Sequence, residues 1–399
     1  MLVDFSQTRE DIGRTNRGMV LSEILFHGPI SRSHIAERVG LTAASISRIT
    51  RQLIDAGLVV EDEALEQDRP GRRFIELKVN PTGCFVAGIS INAFRQDIAI
   101  ADLTNAVVAT QKLAPTDMSD GVATLEFCAQ ALRDLIQQTG IDKNRLVGCG
   151  ITITGAIDPE RCLVRSAPLL GWQAIDIRSS VEPYLKLPLF VDSIPNAKNL
   201  TARGFGSGKG LRNVVLLNVS LAIGCSMMLD GRLVRGQEFN AGLIDQWLLP
   251  GEYSNDLQPI NALTGGSAVL NELDSHQHLS GSEAAFKLVT VLSDADKGDY
   301  QAIAALNKAG EALALCIANI NALLHPEIFL LSGPLIESEI YCGGIRNRSS
   351  ELLGAEFVTG RLRFANISNR EAACALAIFQ SLTMGEVSSQ IITGRRNAN

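Results

Sequence analysis

Three short apolar-periodic segments in the first sixty residues, punctuated by two glycines, constrain this chain more than any other feature. Val20, Leu21, Ile24 and Leu25 recur at helical spacing after Thr15, a candidate N-cap, and Gly28 ends that helix. A second, short helix starts at Ser31 and buries Ile35, Ala36 and Val39. Gly40-Leu41 makes a tight turn, and Thr42 caps a third helix that runs to Ala56. Ile46, Ile49 and Leu53 face inward there, leaving Ala43, Ala44, Ser45, Ser47, Arg48 and Arg51 on the outer face. This is helix-turn-helix spacing, with small and polar residues where a recognition helix meets base edges.

Beyond the third helix come Leu58-Val59-Val60, an acidic loop from Glu61 to Asp68, and Arg69-Pro70-Gly71-Arg72-Arg73. The next strand alternates, with Ile75, Leu77 and Val79 on one side and Glu76 and Lys78 on the other. A two-stranded wing tipped by Arg69, Arg72 and Arg73 is the simplest structure for the segment. Such arginines enter a minor groove or hold phosphates. The plainer alternative is a small helical interaction domain whose arginines are solvated. Glu10, Asp11, Glu23 and Glu37 keep the region from being basic overall, so a DNA face must be narrow.

A chain of 399 residues is too long for one ordinary core and predicts two or three domains. With 46% hydrophobic and 20% charged residues it is globular. Its formal net charge of -7 rules out binding to nucleic acid by global attraction. The opening MLVDFSQTREDIGR carries acids and no apolar run, unlike a signal peptide. The apolar stretch from Val214 to Leu229 is broken by Asn218, Ser220 and Ser226, so no membrane association is expected. Eight scattered cysteines (84, 128, 149, 162, 225, 316, 342 and 374) form no C-x-x-C pair and read as buried, reduced thiols in a cytoplasmic protein.

The remaining three hundred residues read as a repeated α/β pattern. Cys84–Ile91, Gln96–Asp102 and Ala106–Lys112 are three consecutive strands, followed by a helix from Ala123 to Thr139 and a buried strand, Leu146–Ile153. A helix over Ile175–Leu185, a strand at Leu187–Asp192 and a helix from Asn196 come next. Strands Asn213–Val219 and Ile223–Leu229, with a hairpin turn at Asp230-Gly231, begin the pattern again. Helices over Ser282–Leu292 and Tyr300–Leu324 precede a strand at Glu327–Leu331. Two such halves predict a two-lobed α/β protein with a cleft between the lobes.

At this point the chain resembles the ROK family (repressors, open reading frames and sugar kinases), in its DNA-binding branch, over nearly its whole length. Asn16-Arg17, Ile30-Ser31-Arg32, Gly40-Leu41-Thr42 through Ile46-Ser47, and Gly71-Arg72-Arg73 resemble the family's opening helix-turn-helix and wing. Gly155-Ala156-Ile157-Asp158, Leu170-Gly171-Trp172, Asn196-Ala197, Asp230 through Gly236, and Ala241-Gly242 resemble its central loops. His325-Pro326-Glu327 and Ser332-Gly333-Pro334 resemble its late nucleotide-site region. The resemblance implies a winged helix-turn-helix domain over residues 1–80 and an actin-like, duplicated α/β domain. The first lobe would occupy 81–196, completed by a C-terminal helix over 370–385. The second lobe, for effector sensing and oligomerisation, would occupy 197–369.

The same resemblance implies lost chemistry. Where the family's kinases have a D-x-G-x-T phosphate loop, this chain has Ser90-Ile91-Asn92-Ala93-Phe94, without the carboxylate and with Phe94 for the threonine. The second loop, G-T-G-I-G in kinases, is Ser220-Leu221-Ala222-Ile223-Gly224, and Leu221 is expected to project toward the phosphate position. The aspartate base of E-N-D-A-N is replaced by Ile194, and losing a positioned base costs about 10²–10⁴ in rate. Neither catalytic residues nor bound ATP are expected. Zinc is not expected either, because Gln246 replaces the histidine of the G-H motif and no cysteine lies between Cys225 and Cys316. His276-Gln277-His278, the only His-x-His, reads as a solvated loop.

The family's sugar contacts become Ser193, Ile194, Leu243 and Gln246, so the cleft is more apolar than a kinase's. Gly155, Asp192, Asn196 and Gln246 remain as candidate effector contacts, with a purely structural role for them equally open. The resulting expectation is a non-enzymatic repressor of a sugar or related catabolic or transport operon. It would form a homodimer or homotetramer on double-stranded operator DNA through Arg17, Ala43, Ala44, Ser45, Ser47, Arg48, Arg51 and the wing arginines. Two alternatives stay open: a sugar kinase with relocated catalytic groups, and a regulator controlled by a protein partner with no small effector.

Overall fold

The computed structural model describes residues 9–63, 75–113, 118–250, 257–273, 279–383 and 391. Its N-terminal unit is a winged helix-turn-helix. Helix α1 (Arg9–His27) starts before Thr15, which therefore lies inside the helix and does not cap it. Gly13 costs a helix about 1 kcal/mol relative to alanine but does not end this one. The Arg14–Asp11 ion pair at 3.1 Å spans it. Strand β1 (Ile30–Ser31) leads into α2 (Arg32–Val39), where Ser31 accepts the His34 N–H. Gly40, at φ 73°, closes α2 with its N–H on the Ala36 carbonyl, a left-handed conformation suited to glycine. Thr42 then caps α3 (Ala43–Asp55) by accepting the Ser45 N–H, as the spacing predicts.

The wing strands are β2 (Val59–Glu63) and β3 (Ile75–Val79), paired antiparallel, with β1 added on the far side of β3. Val20, Leu21, Ile24, Ile35, Ile46, Ile49, Leu53 and Leu77 form the buried centre of this unit. Arg32 ties it together, donating to Thr50 on α3 and pairing with Glu61 on β2 at 2.7 Å. The wing tip, with Arg69, Arg72 and Arg73, lies outside the described residues.

The larger unit opens with β4 (Phe85–Asn92), β5 (Arg95–Asp102), β6 (Val107–Lys112), α4 (Gly121–Thr139) and β7 (Leu146–Ile153). A three-stranded flap, β8 (Ala156–Asp158), β9 (Leu163–Ala167) and β10 (Trp172–Asp176), precedes α5 (Ile177–Val181), β11 (Leu189–Ser193) and α6 (Ile194–Phe205). Here the expected helix over Ile175–Leu185 shrinks to one short turn. Residues 172–176 pair with β9, Asp176 caps α5 through the Arg178 and Ser179 N–H groups, and Pro183 follows directly. Strands β12 (Val214–Val219), β13 (Ile223–Leu229) and β14 (Arg232–Leu233) begin the second half. Then come β15 (Leu248–Pro250), β16 (Leu257–Pro259), α7 (Asn261–Thr264), α8 (Gly266–Glu272), α9 (Gly281–Asp296) and α10 (Tyr300–Leu324). The described core ends with β17 (Ile328–Ser332), α11 (Glu339–Leu353), α12 (Ala355–Arg361), β18 (Leu362–Phe364) and α13 (Asn369–Thr383).

The two main sheets have the orders β11-β7-β4-β5-β6 and β14-β13-β12-β17-β18. Counted from the first strand of each, both run 3-2-1-4-5, an antiparallel meander extended by two parallel strands, so the fold is duplicated. Strand β7 is buried throughout, as a strand covered on both faces must be. Gly150 in it lets α13 lie flat on the sheet, since an added Cβ would sit 1.9 Å from the Ala373 carbonyl oxygen.

Helices α6 and α13 pack between the two sheets, and their apolar layer is continuous with the core of the winged unit. Phe26 of α1 stacks on Phe379 of α13 at 4.9 Å and meets Phe205, the last residue of α6, edge-on at 5.9 Å. All eight cysteines are buried and unbonded, and burial pushes Cys149 and Cys225 up to about 12.

Candidate nucleic-acid interface and effector cavity

The amphipathic division of α3 produces an outward face. Ile46, Ile49 and Leu53 are at most 1% exposed, and on the other side Ala43, Ala44, Ser47, Arg48 and Arg51 are exposed. Ser45 differs from its expected role: it is half-buried and takes the Thr42 hydroxyl at 3.0 Å, so it belongs to the cap. Arg48 and Arg51 form no ion pair among the described residues, leaving two guanidinium groups on the face. Arg17 sits half-buried on α1 with contacts of its own. Small residues at the start of a helix let its backbone approach a groove, and arginines a turn later reach base edges or phosphates.

The second site is a cavity of about 230 Å³ between the lobes. It is bounded by the flap (Gly155, Ile157, Leu169), the start of α6 (Ile194, Pro195, Asn196), the β12–β13 hairpin (Asn218, Ser220, Gly224) and the loop at 239–245. Gly155, at φ 123°, is required there because a Cβ would fall 2.4 Å from the Ser166 carbonyl oxygen. Gly242, at φ 90°, is required likewise, because a Cβ there would fall 2.1 Å from the Cys225 carbonyl oxygen.

Asp192, next to last in β11, has its side chain 3% exposed, with two hydrogen bonds on Oδ1 and an ion pair on Oδ2. The Ser193 N–H and the Asn196 amide both reach Oδ1 at 2.8 Å, and Arg235 Nη2 pairs with Oδ2 at 2.8 Å. These contacts hold the carboxylate in one orientation, while its Oδ2 accepts no hydrogen bond. Beside it Ile194, 4% exposed, presents hydrocarbon where the kinase-type residue would stand. Leu221 departs from expectation: it is fully buried in the core of the second lobe and does not line the cavity. The apolar side chain is better satisfied inside, beneath Gly265 and Gly266, than facing a polar cleft. Ser90 is buried with its hydroxyl unpartnered, and Phe94 is half-buried away from this cavity.

Across the cavity mouth, Arg165 of β9 pairs with the Glu238 carboxylate at 3.2 Å. It also donates to the Glu238 carbonyl and to the Asn240 side chain. This clasp holds a loop in which both Glu238 (φ 55°) and Phe239 (φ 59°) are left-handed, each costing about 1–3 kcal/mol. Phe239 thereby faces the cavity.

Three of the four expected effector residues, Gly155, Asp192 and Asn196, are thus brought together. Gln246 lies in the turn Ile244–Gln246. Sequence reasoning missed Asn218, Asn261, Phe239 and Asp245, which also line the cavity. Among the described residues no group of three or more His, Cys, Asp or Glu could hold a metal ion. His276 and His278 lie outside those residues.

The sequence profile of the ROK family matches residues 86–380, and that of the MarR family matches residues 11–73. A xylose repressor of Bacillus subtilis (strain 168) is 24% identical over 331 residues, 82% of this chain and 84% of that protein. The DNA-binding transcriptional dual regulator NagC of Escherichia coli (strain K12) is 24% identical over 82% of each chain. Among solved structures, a ROK family transcriptional regulator homologous to the E. coli MLC protein superposes with a TM-score of 0.74 at 23% identity, covering 96% of this chain and all of that one. A ROK family glucokinase from Streptomyces griseus reaches 0.59 at 19% identity, over 73% of this chain and 97% of the kinase.

Proposed function

The chain belongs to the ROK family, and from that premise we propose that it is a DNA-binding transcriptional repressor of a sugar-related operon, with an effector cavity and no kinase activity. The observation that carries the reading is the outer face of α3, which offers Ala43, Ala44, Ser47, Arg48 and Arg51 to solvent over a closed apolar core. Relatives with the names xylose repressor and N-acetylglucosamine repressor support the operon class. Double-stranded DNA is the partner, read by α3 with the wing arginines on the backbone. Two chains in a dimer or tetramer, acting in the cytoplasm, would place two such helices on half-sites.

Loss of kinase chemistry rests on Ile194 at the base position, Asp192 ion-paired to Arg235 and hydrogen-bonded by Ser193 and Asn196, and Ser90 and Phe94 in the first phosphate loop. Neither ATP nor zinc enters this account. The route from cavity to DNA unit is α6, whose first turn (Ile194, Pro195, Asn196) lines the cavity and whose last residue, Phe205, touches Phe26 of α1. A ligand that closes the lobes on α6 would move the aromatic contact on which the winged unit sits. Footprinting of the purified chain on its own upstream DNA tests the reading. Protection of two half-sites separated by about 10 base pairs or a multiple is expected. Phosphorylation of a hexose or amino sugar in an ATP-consumption assay would overturn it.

A further inference from the structure

We infer that Arg32 is a positioning residue of the DNA interface: it holds the recognition helix α3 at a fixed distance and angle from the wing, acting through Thr50 and Glu61 without touching the duplex. The inference rests on the DNA-binding reading above and deepens it. Arg32 opens α2, directly after the Ile30–Ser31 strand that pairs with Leu77 and Glu76 of β3. Its guanidinium engages two other elements. Nε donates to Thr50 Oγ1 on α3 at 3.1 Å, and Nη2 meets Glu61 Oε1 on β2 at 2.7 Å. Glu61 in turn lies opposite Leu77. The contacts therefore run from β1 through Arg32 to α3 and β2, and close across β3.

Both anchors adjoin the reading surface. Thr50 is fully buried, and its hydroxyl donates to the Ser47 carbonyl at 3.3 Å, so Arg32 grips the turn of α3 that carries Ser47, Arg48 and Arg51. Glu61 lies on the strand that leads in sequence to Arg69, Arg72 and Arg73. A helix in a groove and a wing on the backbone engage one duplex together only at the right separation, and such sites tolerate errors of about 0.5 Å. An exposed carboxylate beside a DNA face would by itself repel phosphates. Held by Arg32, Glu61 becomes an anchor instead. With that carboxylate 48% exposed, the ion pair adds little to folding stability, and what it contributes is orientation. A planar guanidinium spans both acceptors, whereas a lysine ammonium keeps the charge and loses the geometry.

Fluorescence anisotropy of the full-length protein, on its own upstream DNA and on a scrambled duplex, tests this with Arg32→Met, Arg32→Lys, Glu61→Gln and the double variant Arg32→Met/Glu61→Gln. The readout is the ratio of the two affinities, because a change of charge acts on both duplexes alike. Arg32→Met and Arg32→Lys should each lower the ratio about tenfold, the worth of one charge-assisted hydrogen bond. Glu61→Gln should lower it about threefold or more. The double variant should match Arg32→Met, since both changes break one contact. Glu61→Gln, at an exposed position, should melt with the wild type, and it decides the question by itself if Arg32→Met fails to fold. A Glu61→Gln ratio at or above wild type, or native binding by Arg32→Lys, would overturn the inference. So would losses equal on the two duplexes, the mark of a direct phosphate contact from Arg32. Equal affinities of the wild type for both duplexes would overturn the DNA-binding reading and this inference together.

Discussion

Lys198 gives the sharpest quantitative test of the fold. It lies on α6 between the two sheets, 3% exposed, with Nζ donating to Asn218 Oδ1 at 2.9 Å and Ser332 Oγ at 3.3 Å. Among the described residues no carboxylate pairs with it, and burial, aided by the nearby Arg95, lowers it from 10.5 to about 7. The unfolded chain therefore binds more protons than the folded one between pH 7 and 10.5, and stability rises with pH through that window. Each pH unit of the gap is worth about 1.4 kcal/mol, so the buried amine costs about 5 kcal/mol at and below pH 7. Lys198→Met removes that cost but strands one neutral acceptor, Asn218 Oδ1, at about 1–3 kcal/mol, since Ser332 Oγ keeps the Ile367 N–H at 3.3 Å. The balance is a stabilisation of about 3 kcal/mol at and below pH 7, or a melting temperature raised by about 6 °C. At pH 9 the wild type has recovered about 3 kcal/mol, so the two proteins should melt together. Melting curves followed by circular dichroism at pH 6.5, 7.5 and 9 provide the assay. A variant less stable than wild type at pH 6.5, or a difference that does not shrink toward pH 9, would refute the reasoning.

Other outcomes follow from the same contacts. Arg48→Ala should lose about 1–3 kcal/mol on the preferred operator and blur its sequence preference, measured by competition among base-substituted duplexes. Arg72→Ala should weaken all duplexes alike and reduce the salt slope by about one, read from affinities at several salt concentrations. Ile194→Asp should not produce a kinase, because Phe94 and the locked Asp192 remain; an ATP-consumption assay checks this. Gly155→Ala places a Cβ 2.4 Å from the Ser166 carbonyl oxygen at a left-handed position, and should destabilise by several kcal/mol, about 1–3 of it from the backbone alone.

Much of this fold was legible because its signals are local. Thr42, Ser31 and Gly40 delimit α2 and α3 through caps that need no tertiary context, and Leu146–Ile153 reads as a doubly covered strand from its apolar run. The flap strands β8 to β10 were not legible, since each is three to five residues long and acquires its hydrogen bonds only from its neighbours. The two-residue β1 failed for the same reason. In the cavity, Asp192 and Asn196 were found from a motif, whereas Asp245 stands where the motif has nothing polar. It joins the cavity lining only through the turn Ile244–Gln246. Which loop residues line a cavity is a property of three-dimensional packing, and no spacing rule encodes it. Leu221 was misdirected in the sequence reading because a loop residue's side-chain direction depends on the core beneath it.

The account depends above all on the winged unit gripping a specific duplex. Fluorescence anisotropy of the full-length protein, on its own upstream DNA and on a scrambled duplex of equal length, measures that directly at physiological salt. The account predicts an affinity for the upstream DNA about 10³-fold or more above the scrambled control, lost when Arg48 and Arg51 are both changed to alanine. Equal affinities for the two duplexes, or a double variant that binds as the wild type does, would contradict it.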